Sequence, residues 1–183
     1  MSSQEFSSKI LAKVLLCGSY AVGKTSLMLR YVDNIFSMNT MLTLGANFLK
    51  KTVVLPKEDD KSVLVTLQLW DISGKIRAAE RISRTFFVGA SGVLFIYDLT
   101  RAWTLDEIHS WYNAVKAVSP EFKSLIIGNK VDLKAQREST PDDAQDIAKK
   151  IGASSLYETS AKTGAQVECA FIKMAELLCA DFP

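Results

Sequence analysis

The chain is 183 residues long, 48% hydrophobic and 23% charged, with a formal net charge of +2; that is enough for one globular domain with a sizeable core and too little for two. Lys and Arg are spread along the sequence instead of gathering on one face, which excludes the electrostatic footprint of a nucleic-acid binder. No apolar run approaches a membrane span, and three scattered cysteines with a single histidine exclude a disulfide framework and a histidine-rich metal centre.

The opening residues MSSQEFSSK hold no apolar signal core and no glycine at the second position, so residues 1–9 are expected to form a flexible tail of a cytoplasmic protein. The apolar run KVLLC, residues 13–17, reads as the first strand, with Cys17 a small buried hydrophobe. GSYAVGKTS follows at residues 18–26 and leads into a helix. Gly18, four residues, then Gly23, Lys24 and Thr25 match the phosphate-binding loop pattern. Glycines let such a loop turn tightly and aim its N–H groups at anionic oxygens, while the helix N-terminus adds partial positive charge. Lys24 is placed to reach the terminal phosphates, and the Thr25 hydroxyl is a hard oxygen ligand suited to Mg²⁺. A glycine turn that merely contains Lys-Thr is the alternative; the order strand, loop, helix favours phosphate.

Next come NFLKKTVVL (47–55) and VLVTLQLW (63–70), joined through the charged turn PKEDDKS, which read as an antiparallel hairpin at a sheet edge. GVLFIYD (92–98) and SLIIGN (124–129) are continuous apolar runs suited to strands buried on both faces, and SLYET (155–159) is the sixth strand. Between them, Thr104 and Glu107 read as a capping box ahead of Leu105, Ile108, Trp111, Tyr112 and Val115, which share one helical face; His109 on that helix reads as structural. Thr140, Pro141 and Asp142 open another helix that Gly152 ends. Val167, Ala170, Phe171, Met174, Leu177 and Leu178 form the apolar stripe of a last helix, and Cys179 reads as a thiol at its end. The tail AELLCADFP carries no prenylation box. The fold class is α/β: one domain over 1–183, with a six-stranded, mixed, mostly parallel sheet and helices on both faces.

A phosphate loop alone leaves kinases, ATPases and GTPases open. The strand SLIIG ends in Asn129, Lys130, Val131 and Asp132, at the carboxyl edge where open α/β sheets bind ligands. The Asp132 carboxylate can accept both the ring N–H and the exocyclic amino group of guanine, whereas adenine offers no matching donor pair. The aliphatic stem of Lys130 can lie along the base. Ser160, Ala161 and Lys162 add a third loop at the same edge. A generic phosphate-loop kinase gives no reason for NKVD.

With GSYAVGKT, TLGANF (43–48), WDISG (70–74), NKVD and SAK in that order, the chain resembles a small GTPase of the Ras superfamily, most closely its Rab branch. The resemblance covers essentially the whole sequence. It implies the three-layer G-domain fold and a GTP/GDP switch with Mg²⁺ that hydrolyses GTP to GDP and phosphate. It implies that Ser19, Tyr20, Ala21, Val22, Gly23, Lys24, Thr25 and Ser26 wrap the phosphates. Thr25 and Thr43 are expected on the metal, with Asp71 reaching it through water. Thr43 and Gly74 are expected at the γ-phosphate end, where Lys24, Thr43, Gly74 and Lys75 form the hydrolytic site. Phe36 is expected beside the guanine, and Asn129, Lys130, Asp132, Ser160, Ala161 and Lys162 in the base pocket. Effectors, exchange factors and GTPase-activating proteins are implied at the switch segments, with Phe48, Trp70 and Phe86 as an exposed apolar surface in the GTP state. The resemblance further implies membrane trafficking, peripheral attachment by a C-terminal lipid in a full-length form, and a monomer.

The departures are specific. Where the family reads Trp-Asp-Thr-Ala-Gly-Gln-Glu, this chain reads Trp70 to Ile76 as WDISGKI. A glutamine amide both donates to and accepts from the attacking water; an ammonium has three donors and no acceptor, so Lys75 cannot orient water in the same way. Slow intrinsic hydrolysis is the favoured reading, against rescue by a partner's amide and arginine, or near-normal hydrolysis by another route. Tyr20 stands where the family has a small residue, close to the entrance for a partner's arginine; it either obstructs that entrance or turns outward and shields the nucleotide. The PKEDDKS hairpin is longer than in a typical Rab, and KIRAAERISRTFF carries one extra residue. The competing functional reading is a hydrolysis-deficient, GTP-bound interaction module.

Overall fold

A computed structural model describes residues 6–37, 43–57, 62–75 and 85–180. Strand β1, Phe6–Cys17, lies centrally, and α1, Lys24–Asp33, follows it. The hairpin strands β2 (Ala46–Pro56) and β3 (Ser62–Ile72) come next, then β4 (Gly92–Asp98) and two consecutive helices, α2 (Trp103–Asp106) and α3 (Ile108–Lys116). Strand β5 (Lys123–Asn129), helix α4 (Pro141–Ile151), strand β6 (Ser155–Thr159) and helix α5 (Val167–Cys179) complete the order. The sheet runs β2-β3-β1-β4-β5-β6; only the β2–β3 pair is antiparallel.

Because β1, β3, β4, β5 and β6 run parallel, their carboxyl ends emerge at one edge, which is where every quoted motif begins. Burial follows from this architecture. GVLFIYD is buried at every position of β4, whereas β2, at the sheet's edge, alternates with solvent. On one face α1 and α5 pack over Val14, Leu16, Leu94 and Ile96; on the other, α2, α3 and α4 cover Leu15, Val93, Phe95 and Ile126. Fully buried side chains such as Phe171 and Leu69 each contribute about 1.5–3 kcal/mol through loss of apolar contact with water.

The helix ends behave as read at α4, where the Thr140 hydroxyl accepts from Asp143 N–H, the Asp143 carboxylate accepts from Thr140 N–H, and Gly152 closes the helix at φ 65°. Three readings need correction. The first strand begins at Phe6, not Lys13, so residues 6–9 of the supposed tail pair with Ser62–Leu64 of β3. A parallel neighbour that long supplies hydrogen bonds for the whole of β1 despite its polar start; residues 1–5 lie outside the described residues. Thr104 and Glu107 form no capping box: the Thr104 hydroxyl is buried on the turn after β4, donating to Arg101 O, and Glu107 turns away toward Ser19. Of the apolar surface, only Phe48 is exposed. Trp70 and Phe86 are half-buried, because Trp70 packs between Phe48 and Phe86 with the Lys13 ammonium 4.5 Å over its ring. Residues 58–61 of the long hairpin and 76–84 of KIRAAERISRTFF lie outside the described residues. No described helix is long and apolar enough to cross a membrane.

Candidate functional site

The phosphate loop joins the buried end of β1 to α1 with no side-chain cap at Gly23, so the first N–H groups of the helix open toward the cleft. Gly23 sits at φ 99°, and a Cβ there would lie 2.2 Å from Asn129 Nδ2; only glycine fits. Ala21 also takes a left-handed backbone, φ 56°. Lys24 is buried and curls over the loop, donating to Gly18 O at 2.7 Å and Ser19 O at 2.8 Å. Burial pushes its ammonium down to about 8, against the pull of the Asp71 carboxylate.

Three hard oxygens meet beside it. Thr25 Oγ1 lies 3.0 Å from Thr43 Oγ1, and both reach Asp71 Oδ2, at 2.5 and 3.1 Å. Asp71 is fully buried, and its Oδ1 has no hydrogen-bond partner among the described residues. Burial raises its pKa, while hydrogen bonds from Thr25 and Thr43 and the Lys24 charge oppose the rise. A buried carboxylate with a free oxygen and two hydroxyls at one point is a donor set of the kind Mg²⁺ takes; the residues present fit the ion. Tyr20, Ala21, Gly23, Lys24, Thr25, Ser26, Thr43, Ser73, Gly74 and Lys75 line this one cleft. A Cβ at Gly74 would fall 2.4 Å from Ser19 C and Tyr20 N, so Gly74 rests directly on the phosphate loop. Lys75 is exposed at the rim.

The second cleft, of about 430 Å³, opens beside the first and is lined by Phe36, Asn129, Lys130, Asp132, Ala161 and Lys162 together with Ala21, Gly23 and Ser26. Ser160 is buried outside the lining and donates to Asp132 Oδ1 at 2.6 Å, which fixes the carboxylate's direction. Asn129 faces inward: its Nδ2 donates to Val22 O at 2.9 Å, and its Oδ1 accepts from Ala161 N–H at 3.2 Å and Thr159 Oγ1 at 3.3 Å. Lys130, at φ 71°, sends its ammonium to Asp98 Oδ2, 2.7 Å away, which holds its stem along the cleft wall. The residues named for the nucleotide therefore gather at two adjoining clefts at the sheet's carboxyl edge, with Ser19, Val22, Asp71 and Ser160 buried behind the linings. Tyr20 is 48% exposed and turns outward, its ring 5.9 Å from Trp103 and 5.6 Å from the Arg101 guanidinium.

Several residues the motifs did not name support the site. Asp98 is a buried carboxylate ending an apolar strand, accepting from Thr100, Arg101 and Lys130; a charge in that position was the one available signal. Arg30, on α1, donates to Ala161 O and Lys162 O and so ties the SAK loop to the phosphate-loop helix. Ser73 N–H donates to Gly45 O, joining TLGANF to DISG. Neither contact has a local signature.

Comparison with known proteins gives the arrangement its context. The Ras family model matches residues 13–180. The chain is 34% identical over 175 residues to the Ras-related protein Rab-10 of Caenorhabditis elegans, covering 95% of this chain and 84% of that protein. It is 36% identical over 181 residues to the Ypt/Rab-type GTPase YPT7 of Saccharomyces cerevisiae, covering 96% and 83%, and 34% identical over 167 residues to the Ras-related protein Rab-2B of Dictyostelium discoideum, covering 91% and 79%. Since likeness of this degree runs from the first strand to the last helix, the chain belongs to the Ras family and is a Rab-like small GTPase, a guanine-nucleotide-binding switch.

Proposed function

We propose that this GTPase is a switch with slow intrinsic turnover, in which Lys24 and the N-terminus of α1 hold the terminal phosphates and Asp132 reads guanine. In this reading Thr25 and Thr43 hold Mg²⁺ directly and Asp71 holds it through water, with Phe36 beside the base. Residues 1–183 act as one monomeric G domain. The observation that carries it is the meeting of Thr25, Thr43 and Asp71 oxygens next to the buried Lys24 ammonium. When bound, the metal would neutralise charge on the phosphate oxygens. The chain's own contribution is positional. Lys24 places a charge that burial has stripped of water, and Thr43 and Gly74 bring two loops onto the phosphate loop. Contact with a γ-phosphate offsets the cost of ordering those loops, about 1–2 kcal/mol per residue fixed, and its loss releases them.

Lys75 stands at the rim of the same cleft. It can favour charge at the γ-phosphate, but with no acceptor it cannot take a proton of the attacking water into a hydrogen bond. Hydrolysis is then slow, and the GTP state is long-lived until a partner completes the site. Effectors, exchange factors and activating proteins would meet the protein at the switch segments around Phe48, Trp70 and Phe86. The protein works in the cytoplasm and, in a full-length form, peripherally at membranes, as the resemblance to the Rab branch implies. Single-turnover hydrolysis of Mg²⁺-GTP tests the reading: Lys75→Gln should turn over clearly faster than wild type. A wild-type rate of roughly 10⁻⁴ s⁻¹ or more, unchanged in Lys75→Gln, overturns the role given to Lys75. No hydrolysis by either protein, with GTP tightly held, would instead favour a GTP-bound interaction module.

A further inference from the structure

The phosphate loop is gripped from its outer side by the segment that follows β4. Ser19 Oγ donates to Glu107 Oε2, at the junction of α2 and α3. On the next residue, Arg101 Nη2 donates to Tyr20 O at 3.1 Å. The Arg101 guanidinium also lies 5.6 Å from the Tyr20 ring centroid and 5.3 Å from that of Trp103, so one cation serves both rings. Arg101 is itself rooted: its Nε donates to Asp98 Oδ2 at 2.8 Å, the oxygen that also takes Lys130 Nζ. From the inner side, Gly74 rests against the same Ser19–Tyr20 peptide.

Such a grip has a physical purpose. The loop beyond Tyr20 passes through left-handed backbone at Ala21 and Gly23, a conformation that persists at a non-glycine residue only when its surroundings hold it. Backbone N–H groups bind phosphate well only if they are already aimed, since every group that must be ordered on binding subtracts from affinity. A carboxylate turned toward an anion-binding loop opposes the phosphates electrostatically; Glu107 is therefore poorly suited as a ligand and well suited as an anchor for the Ser19 hydroxyl.

We propose that Glu107 and Arg101 are positioning residues that brace Ser19 and Tyr20 and thereby set the rate at which bound guanine nucleotide leaves. This rests on the phosphate-loop reading above. The brace also links the two clefts, because Asp98 joins Arg101 of the phosphate side to Lys130 of the base side. A partner that pulled α2 away from the loop would release nucleotide without touching it.

The experiment is release of a fluorescent GDP analogue from the whole Mg²⁺-loaded protein into excess GDP. Glu107→Gln and Ser19→Ala should each speed release by about tenfold, the worth of one hydrogen bond to a charged group. The double variant should be no faster than Ser19→Ala alone, because that change already removes the contact that Glu107→Gln weakens to a neutral hydrogen bond. A merely structural loss would add. Arg101→Lys, which retains the charge and loses the planar fork, should also release faster, while Asp106→Asn, on the exposed side of α2, should match wild type. Release unchanged in both Glu107→Gln and Arg101→Lys, or additive effects in the Ser19 and Glu107 cycle, would overturn the brace while leaving the nucleotide site intact. Failure of the wild type to take up the GDP analogue would instead overturn the phosphate-loop reading and the brace with it.

Discussion

Asn129 donates through Nδ2 to the carbonyl oxygen of Val22, 2.9 Å away and 107 positions earlier in the chain. The first residue of the guanine motif therefore holds the phosphate loop, while its Oδ1 holds Ala161 of the third loop. One buried amide, 1% exposed, ties three loops together.

Asn129→Ala should accordingly cost more than a base contact. It leaves the Val22 carbonyl and the Ala161 amide without their partner in a buried site, for a loss of about 2–4 kcal/mol in folding stability, and it lets all three loops drift. Urea unfolding of the variant, together with its affinity for GDP, measures both effects. A variant as stable as wild type that merely bound guanine less tightly would show that Asn129 acts on the base and not on the loops.

The main lines of the fold were legible because burial and chemistry were local. GVLFIYD has to be a strand covered on both faces, and a glycine-bounded loop between strand and helix is readable from nine residues. The glutamate at 107 was misread for the same reason. Thr-x-x-Glu is a local signature, yet the carboxylate's partner, Ser19, is 88 positions away, and no rule of spacing points there. Asp98 and Arg30 were missed likewise, since their partners come from loops that only the sheet brings together. The true start of β1 was hidden by its polar residues, which a long parallel neighbour accommodates.

Asp98 predicts a pH dependence. Burial alone raises a carboxyl's pKa, but the Lys130 ammonium and the Thr100 hydroxyl and N–H outweigh it and hold Asp98 below the ordinary carboxylate value. A group whose folded pKa is depressed stabilises the fold above its unfolded pKa, about 3.9, and that contribution is lost as pH falls through the folded value. Asp98→Asn should remove it at all pH values, costing about 2 kcal/mol at pH 7 because its partners Arg101 and Lys130 are partly exposed. Below about pH 4 the gap between variant and wild type should narrow. Thermal unfolding between pH 3 and 7 measures it, and a gap that stays constant to the acid end would show that Asp98 is not the group titrating.

On the function proposed above, Thr43 separates the two nucleotide states. Its hydroxyl reaches Thr25 and Asp71 from a loop that has to be ordered to bring it there. Thr43→Ala should thus loosen the GTP form far more than the GDP form. Affinity for a non-hydrolysable GTP analogue should fall about tenfold, as expected for one lost contact to a charged centre, with GDP affinity nearly unchanged. Equal losses for both nucleotides would sink the assignment of Thr43 as the γ-phosphate sensor.

Asp132 bears on specificity. Ser160 occupies one lone pair of Oδ1 and so turns the carboxylate into the base cleft with acceptors to spare. Guanine presents two parallel donors, the ring N–H and the amino group, which a carboxylate can take as a pair. Asp132→Asn replaces one acceptor with a donor, which faces the guanine amino group hydrogen to hydrogen. Xanthine carries a carbonyl at that position and suits the amide. GDP affinity should drop by at least about a hundredfold, one hydrogen bond to a charged group being lost to a donor–donor clash and the other weakened to a neutral one, and xanthosine diphosphate should become the preferred ligand in direct competition. If the variant kept its preference for GDP, Asp132 would not be the residue that reads the base, and the cleft beside Phe36 would have to recognise guanine by another group.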